Sequence, residues 1–265
     1  MTRVAILGNL ARDRVDGGPP RVGGAPFHCG RALRALPMRS LIATKAAEAD
    51  ARLVRDLVRL GVPVRWHRSS STSGFVIEND GASRRMVVDA LGEPWTRDDV
   101  RGWLRPALAG VGWVHVGPLA RSDFGAETLA ELARDRVVSL DAQGLVRAAR
   151  TGPLVLDADY DPDLLRHVSI LKLAEEEARM LIDPADERSI AALGVPEVVV
   201  TLGPLGSIVY ADGVAEHVPA WPIHESDPTG AGDAFSAAYL AARAGGQTPT
   251  SAARRATAVV GSLLR

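Results

Sequence analysis

The chain has 265 residues, of which 46% are hydrophobic and 24% are charged, so it suits one large globular domain or two small ones and excludes wholesale disorder. Its 31 basic and 32 acidic residues give a formal net charge of -1, without the basic excess of proteins that bind nucleic acid through phosphates. No apolar run is long enough to span a bilayer or to form a signal-peptide core, so we expect a cytoplasmic protein without membrane partners.

Residue types and motifs that define several enzyme classes are missing from the sequence. Cys29 is the only cysteine, which excludes an internal disulfide and a cysteine-rich metal site. Neither lysine, Lys45 or Lys172, follows a glycine, so the phosphate-binding loop of P-loop NTPases is absent. The signatures of protein kinases, zinc-dependent HExxH proteases and GxSxG hydrolases are absent as well.

Short apolar runs alternate with amphipathic segments along the chain. The apolar runs predict strands at 4–7, 40–43, 75–77, 86–88, 113–116, 137–140, 170–173, 198–202 and 208–210. The amphipathic segments predict helices at 29–36, 49–60, 98–108, 123–134, 175–181, 231–243 and 250–264. Runs rich in Val, Ile and Leu are typical of strands buried on both faces, so the alternation predicts a layered α/β fold with a mostly parallel sheet.

The segment 75–88 departs from this alternation. Two strand-like runs flank a polar stretch that contains Asp80 and Gly81, a pair typical of tight turns. We therefore predict an antiparallel hairpin inserted between helix–strand units. Such a hairpin is a candidate flap over a binding site, and a surface hairpin without a functional role is the alternative.

The strongest local signal is the segment 227–235, Asp-Pro-Thr-Gly-Ala-Gly-Asp-Ala-Phe, which leads directly into an apolar run. Small residues allow backbone N–H groups to converge on an anion, and the start of a helix adds positive potential. Asp233 would lie beside that anion, where a carboxylate can take a proton from a hydroxyl that attacks a bound phosphate. An aspartate that merely caps the helix, with glycines in a tight turn, is the structural alternative.

With three further segments, this motif resembles the PfkB group of carbohydrate kinases, whose C-terminal signature is Asp-Thr-x-Gly-Ala-Gly-Asp-x-Phe. The further segments are Gly23-Gly24 before a helix start, the stretch 8–13 that ends in Asp13, and the turn 201–206. They occur in the order that the family has. The resemblance implies one ribokinase-like domain over 1–265, with three layers around a mostly parallel sheet. It also implies a small, reduced β lid from about 13–24 and 73–89.

The resemblance also implies a role for individual residues. Asp233 would be the catalytic base, and the transferring phosphoryl group would be held by the backbone of Gly230, Ala231 and Gly232. The acceptor would contact Asp13, Gly23, Gly24, His28, Gln143 and Arg147. The nucleotide would contact Thr201, Gly203, Gly206, Asp227 and Thr229. Glu177 matches the glutamate of the family's Asn-x-x-Glu motif and would help to organise Mg²⁺.

Three departures from the family pattern stand out. Ala174 replaces the asparagine of Asn-x-x-Glu, which removes one polar group near the metal. His28 occupies a place where many members have an asparagine that binds sugar hydroxyls; an imidazole can also donate and accept, although a packing role is the alternative. Only ten positions separate Asp13 from Gly23, so the lid should be shorter than usual.

The sequence therefore predicts an ATP-dependent phosphotransferase that acts on a hydroxyl of a sugar, polyol or related small molecule. The segment 141–147, with Gln143 and Arg147, resembles the plant myo-inositol kinases more than other members, and a capped turn is its structural alternative. A nucleoside kinase, a phosphosugar kinase and a non-catalytic sugar- or nucleotide-binding member are the alternative functions. ATP and Mg²⁺ are the expected cofactors, and the family adds a monovalent cation near Asp227 in some members. A homodimer is compatible with the resemblance.

Overall fold

The computed structural model describes residues 3–80, 83–182, 186–220 and 229–264, and in these ranges the chain forms two β-sheets and nine α-helices. The strands are β1 (Arg3–Asn9), β2 (Ala11–Val15), β3 (Arg21–Gly23), β4 (Arg39–Ala47), β5 (Val64–Ser69), β6 (Ser73–Asp80), β7 (Ser83–Ala90), β8 (Val111–Val116), β9 (Val137–Asp141), β10 (Gly152–Pro153), β11 (Ile170–Ala174), β12 (Glu197–Thr201), β13 (Ser207–Ala211) and β14 (Val214–Val218). The helices are α1 (Ala25–Leu33), α2 (Ala51–Val58), α3 (Arg97–Arg101), α4 (Ala126–Ala133), α5 (Gln143–Val146), α6 (Glu175–Leu181), α7 (Glu187–Ala192), α8 (Ala231–Ala244) and α9 (Pro249–Leu263).

The central sheet has the strand order β14-β13-β12-β11-β9-β8-β1-β4-β5. Neighbouring strands are parallel from β12 to β5, whereas β13 and β14 are antiparallel to their neighbours. Apolar side chains of alternating strand residues enter cores on the two faces of the sheet. In β1, Ala5 and Leu7 pack towards α3 and α4, whereas Val4 and Ile6 pack towards α1, α2 and α8. The predicted three-layer α/β fold is confirmed.

The second sheet has the strand order β10-β7-β6-β2-β3. It contains the predicted hairpin, in which β6 and β7 pair in antiparallel fashion out to Asp80 opposite Ser83; Gly81 lies outside the described residues. A small apolar cluster that includes Phe75, Ile77 and Leu119 supports this sheet. Since Leu10 alone separates β1 from β2, the second sheet is a direct continuation of a central strand.

The structure differs from the predicted elements at several places, of which the helix at 98–108 and strand β5 are examples. The helix predicted at 98–108 ends with α3, because Gly102 follows with a non-helical backbone (φ -91°, ψ -110°) and the chain continues in turns. Strand β5 was not predicted, because Arg65, His67 and Arg68 interrupt its apolar pattern. An edge strand pairs on one side only and needs fewer apolar residues, and β5 forms one edge of the central sheet.

A buried ionic network joins the antiparallel edge of the central sheet to α8. Glu197 begins β12 and is buried. Its carboxylate accepts a hydrogen bond from the Tyr239 hydroxyl (2.5 Å) and two from the Arg243 guanidinium (Nε 3.1 Å, Nη2 2.8 Å). This network therefore holds the C-terminal half of α8 against the sheet, away from the first turn of the helix.

We expect Glu197→Ala to lower the free energy of unfolding by roughly 3 kcal/mol, because it leaves the Arg243 charge and the Tyr239 hydroxyl without their acceptor. Urea unfolding monitored by circular dichroism measures the change. Glu216→Ala, on the exposed part of β14, is the control and should stay within about 0.5 kcal/mol of the parent. An equal effect of the two substitutions would contradict the role of the network.

Candidate active site

Two adjoining cavities open at the carboxyl ends of the parallel strands, where α8 begins. The polar cavity has a volume of about 340 Å³ and is lined by residues of both sheets. The apolar cavity has a volume of about 530 Å³ and is lined by the turn after β12 and by α8 and α9. Gly232, in the first turn of α8, borders both cavities. Molecules bound in the two cavities would therefore meet at the start of α8.

Helix α8 starts from a turn whose backbone favours glycine at position 230. Gly230 caps the helix in the left-handed region, with φ +80°. The hydrogen bond from the Ala234 N–H to the Gly230 carbonyl (2.9 Å) is the first one within the helix. The N–H groups of 231–233 come before it and therefore have no carbonyl partner within the helix. The structure thus brings the predicted Gly230, Ala231 and Gly232 together in a turn whose N–H groups suit an anion.

Asp233 lies at the floor of the polar cavity, one residue after that turn. The residue retains partial exposure through the cavity, yet protein atoms surround its carboxyl group. This burial raises its pKa to about 7, and the nearby Asp141 carboxylate adds to the increase, while Lys172 and Arg147 oppose it. A carboxyl group with a pKa near neutrality is well matched to proton transfer.

A buried ion pair lies beside Asp233. Lys172 on β11 and Asp141 at the end of β9 are direct register partners, and the Lys172 Nζ is 3.2 Å from the Asp141 Oδ2. A Cβ added to Gly232 would lie 3.0 Å from the same Nζ, so the ammonium group contacts the start of α8. Burial alone would raise the pKa of Asp141, but the charges of Lys172 and His115 and the hydrogen bonds from Gln143 and Lys172 together lower that pKa below its ordinary value.

Asp13 on β2 occupies the side of the polar cavity formed by the second sheet. Its Oδ2 lies where a Cβ on Gly23 would be, at 1.9 Å, so glycine at 23 makes room for this carboxylate. Gly24 lines the same cavity with φ +86°. Burial raises the pKa of Asp13 to about 6, although the guanidinium groups of Arg84 and Arg147 oppose the increase. The predicted Asp13, Gly23 and Gly24 therefore lie together.

The rest of the polar cavity divides into a charged wall and an apolar wall. Gln143 and Arg147 line it from α5 and the residue that follows, and the Gln143 N–H donates to the Asp141 Oδ1 (3.2 Å). The Arg147 guanidinium lies 6.0 Å from the centre of the Phe75 ring. The apolar wall comes from the second sheet and from the loop after β8, and consists of Phe75, Ile77, Met86 and Leu119. His28 of α1, one of the predicted acceptor residues, also lines this cavity.

Glu177 lies in the first turn of α6, and its Oε2 accepts a hydrogen bond from the Ala174 N–H (2.7 Å). Burial raises the pKa of Glu177, with the Lys172 charge opposing the increase. Among the described residues, no three Asp, Glu, His or Cys side chains cluster as metal ligands would. One carboxylate oxygen together with phosphate oxygens of a bound donor still fits the ligands that Mg²⁺ prefers. The metal therefore stays a prediction, with most of its ligands expected from the donor.

The predicted nucleotide-binding residues fall into three groups. Thr201, Gly203 and Gly206 line the apolar cavity, opposite Phe235 of α8. Thr229 lines the polar cavity instead, next to Gly230. Asp227, and with it the expected monovalent-cation site, lies outside the described residues. The wall that α9 supplies was not predicted, although small residues at helical spacing were a signal for it: Thr257, Ala258 and Gly261.

The model of the pfkB family of carbohydrate kinases matches residues 55–263. The chain belongs to this family. This match confirms the family that the motifs at 23–24 and 227–235 predicted.

The proteins similar to this pfkB member include plant inositol kinases and ribokinase-family kinases of known structure. It is 36% identical over 132 residues to an inositol 3-kinase of Zea mays, and 36% identical over 137 residues to one of Oryza sativa subsp. japonica. Each match spans 48% of this chain and 33% of the relative's length. A pyrophosphate-dependent ribokinase-family kinase, solved with a pyrophosphate analog and myo-inositol, superposes with a TM-score of 0.82 at 24% identity over 99% of this chain and 95% of the other. Arabidopsis thaliana ribokinase, solved with ribose and ATP, superposes with a TM-score of 0.77 at 20% identity over 100% of this chain and 93% of the other. These superpositions confirm the ribokinase-like fold.

Sequence reasoning missed the ion pair of this pfkB member. Lys172 stands inside the apolar run 170–173, and Asp141 directly follows the run 137–140. A lysine within an otherwise apolar strand requires a buried acidic partner. Asp141 could be recognised as this partner only if β9 were known to lie beside β11. A single sequence does not give that strand order.

We expect Asp233→Asn to stabilise this pfkB member increasingly as the pH rises from 5 to 8. The folded chain holds the Asp233 proton with a pKa of about 7 against an ordinary 3.8, so the stability linked to that proton is present at low pH and is lost as the pH approaches 7. Differential scanning calorimetry at both pH values should show the variant melting about 2–4 °C above the parent at pH 8, with a smaller difference at pH 5. Asp135→Asn, at an exposed position, is the control, and a pH-independent difference for Asp233→Asn would contradict the assignment.

Proposed function

We propose that the chain transfers the γ-phosphate of ATP to a hydroxyl of a small cyclic polyol or sugar, with Asp233 as the general base. The observation that carries the proposal is the position of Asp233, between a polar cavity sized for such an acceptor and a helix start suited to a phosphoryl group.

The acceptor would lie in the polar cavity, with Asp13 accepting hydrogen bonds from its hydroxyls. Asp233 would take the proton of the attacking hydroxyl as the oxygen approaches the γ-phosphate. The N–H groups of Ala231 and Gly232 would hold the charge that develops on the transferring group, and the Lys172 ammonium would offset part of it. Mg²⁺, when bound through Glu177 and the donor, would neutralise phosphate charge.

The apolar cavity supports a nucleotide as the donor. Thr201 and Gly206 border one side of it, and Thr257 and Gly261 of α9 border the other. No charged side chain is among its lining residues in the described part of the chain. A second phosphate of pyrophosphate would need cationic partners there, whereas a purine and ribose suit an uncharged cavity of about 530 Å³. We therefore favour ATP, even though a solved structure of similar fold is described as pyrophosphate-dependent.

The similar proteins suggest inositol as the acceptor. Both plant relatives are named inositol 3-kinases, and the pyrophosphate-dependent kinase was solved with myo-inositol. A cyclic polyol presents hydroxyls at its rim and C–H groups on its faces. The polar cavity offers both kinds of surface, with polar groups from Asp13 and Gln143 and apolar side chains from Phe75 and Ile77.

A phosphorylated polyol or sugar is the second candidate acceptor. Arg84 on β7 and Arg147 both line the polar cavity, and neither forms an ion pair with an acid among the described residues. Two guanidinium groups that are not held in ion pairs suit a phosphate or a carboxylate on the acceptor. Comparing myo-inositol with inositol monophosphates as acceptors distinguishes the two candidates.

Asp233→Asn should lower turnover by roughly 10²–10⁴-fold, the usual contribution of a positioned general base. ADP release would be measured with ATP, Mg²⁺ and a panel of myo-inositol, inositol monophosphates, ribose, hexoses and nucleosides. The ATP KM should change little, because an amide of the same shape leaves the donor contacts in place. Asp135→Asn should retain parental turnover, and full activity of Asp233→Asn with the best acceptor would contradict its role as base.

Gly261→Leu should raise the ATP KM by about 10-fold or more if the apolar cavity holds the nucleotide, because the new side chain fills space next to Gly261 that is open in the structure. The KM for pyrophosphate as donor, if any activity is found with it, should not change. Gly125→Leu, at an exposed glycine that also faces open space, controls for the added side chain. An unchanged ATP KM in Gly261→Leu would place the nucleotide elsewhere.

A further inference from the structure

We propose that His28 and Cys29, two successive residues of α1, form a clamp that positions the first turn of α8 and with it the phosphoryl-binding N–H groups and Asp233. His28 would accordingly act on phosphoryl transfer rather than on acceptor affinity. The inference deepens the proposed function and rests on it for its kinetic part. It is argued from the contacts that the two side chains make with opposite ends of one helical turn.

The first contact joins His28 to Gly230. A Cβ added to Gly230 would lie 2.1 Å from the His28 Nδ1, 2.3 Å from its Cγ and 2.8 Å from its Cβ. The imidazole therefore packs directly against the Gly230 backbone, and the ring itself occupies the space of a side chain at 230. His28 lines the polar cavity on one side, and on the other it borders a small void with Arg31 and Ala234. Its ring thus stands between the acceptor and the turn that would bind the phosphoryl group.

The second contact joins Cys29 to Asp233. Cys29 is fully buried, and its Sγ donates a hydrogen bond to the Asp233 carbonyl (3.2 Å). Around this contact, α1 and α8 share an apolar core that includes Ala25, Ala234 and Ala237. The Cys29 thiol thus holds the backbone of the very residue whose carboxyl group is the proposed base.

Together the two contacts constrain the turn at its beginning and at its end. Gly230 opens the turn and Asp233 closes it, and the N–H groups of 231 and 232 lie between them. Since Gly230 has no side chain of its own, the ring of His28 supplies the packing that limits motion of its backbone. Displacement of a phosphoryl-binding group by about 1 Å is sufficient to slow a reaction by up to about 10²-fold. A loosened clamp should therefore lower kcat without weakening acceptor binding.

The kinetic test compares His28→Ala, His28→Asn, Cys29→Ala and Cys29→Ser with the parent. We expect His28→Ala to lower kcat by about 10-fold or more while the acceptor KM changes by less than about 3-fold. Cys29→Ala should lower kcat by a smaller factor, and Cys29→Ser, which keeps a donor for the Asp233 carbonyl, should recover it. The fold-loss of kcat in the double variant His28→Ala/Cys29→Ala should be smaller than the product of the two single losses, because both side chains act on one turn. Arg34→Ala, at the exposed end of α1, is the control.

A structural test does not depend on catalysis. Hydrogen exchange of the peptide that contains the Ala234 amide reports on the bond that closes the turn. Exchange there should be about 10-fold faster in His28→Ala, with parental exchange in the other helices and in Arg34→Ala. If the parent phosphorylates no acceptor, the proposed function is wrong. The exchange measurement would still show whether His28 constrains the first turn of α8.

Two results would overturn the inference. An acceptor KM that rises strongly at unchanged kcat in His28→Ala would make His28 an acceptor ligand. Unchanged exchange at Ala234 in a folded His28→Ala would show that the ring does not constrain the turn. If His28→Ala does not fold, His28→Asn provides both measurements, because it retains a planar polar side chain of similar reach.

Discussion

The ion pair between Lys172 and Asp141 is the interaction on which the geometry of the site depends. The two side chains are 8% and 3% exposed, and they connect β9 to β11 across one register position of the central sheet. Burying a charged pair costs desolvation energy that its own attraction barely recovers, so such a pair is weak evidence for stability. Here it brings a cation against the first turn of α8 and an anion near Asp233, whose pKa is raised to about 7 mainly by burial. His115, close to the same pair, is kept neutral because burial lowers its pKa to about 4.

Around this pair, each part of the fold brings one component to the site. Parallel strands β9, β11 and β12 end at the same edge of the sheet, which places Asp141, Ala174 and Thr201 side by side. Helix α8 starts above that edge, and the second sheet, continuous with β1, covers the acceptor side. The site is therefore a property of the strand order, since residues far apart in the chain meet only because their strands are neighbours.

The sequence predicted those parts that have local signals. Val4–Leu7 and Ile170–Leu173 were recognisable as strands because both faces of a central parallel strand are apolar, and the turn at 230–232 because small residues precede an apolar helix. The short strand β3 and the edge strand β5 lack such patterns, because β3 is three residues long and β5 is rich in arginine. The ion pair and the contact between His28 and Gly230 were beyond prediction, because both arise from packing between distant segments.

The acceptor side and the donor side of the site rest on different hydrophobic clusters. Phe75, Ile77 and Met86 belong to the small cluster beneath the second sheet, whereas the donor side is built on the core shared by α8 and α9. Evolution can therefore alter one cavity without repacking the other. The separation also makes this second sheet the natural place for substitutions that would change acceptor specificity and leave the first turn of α8 as it is.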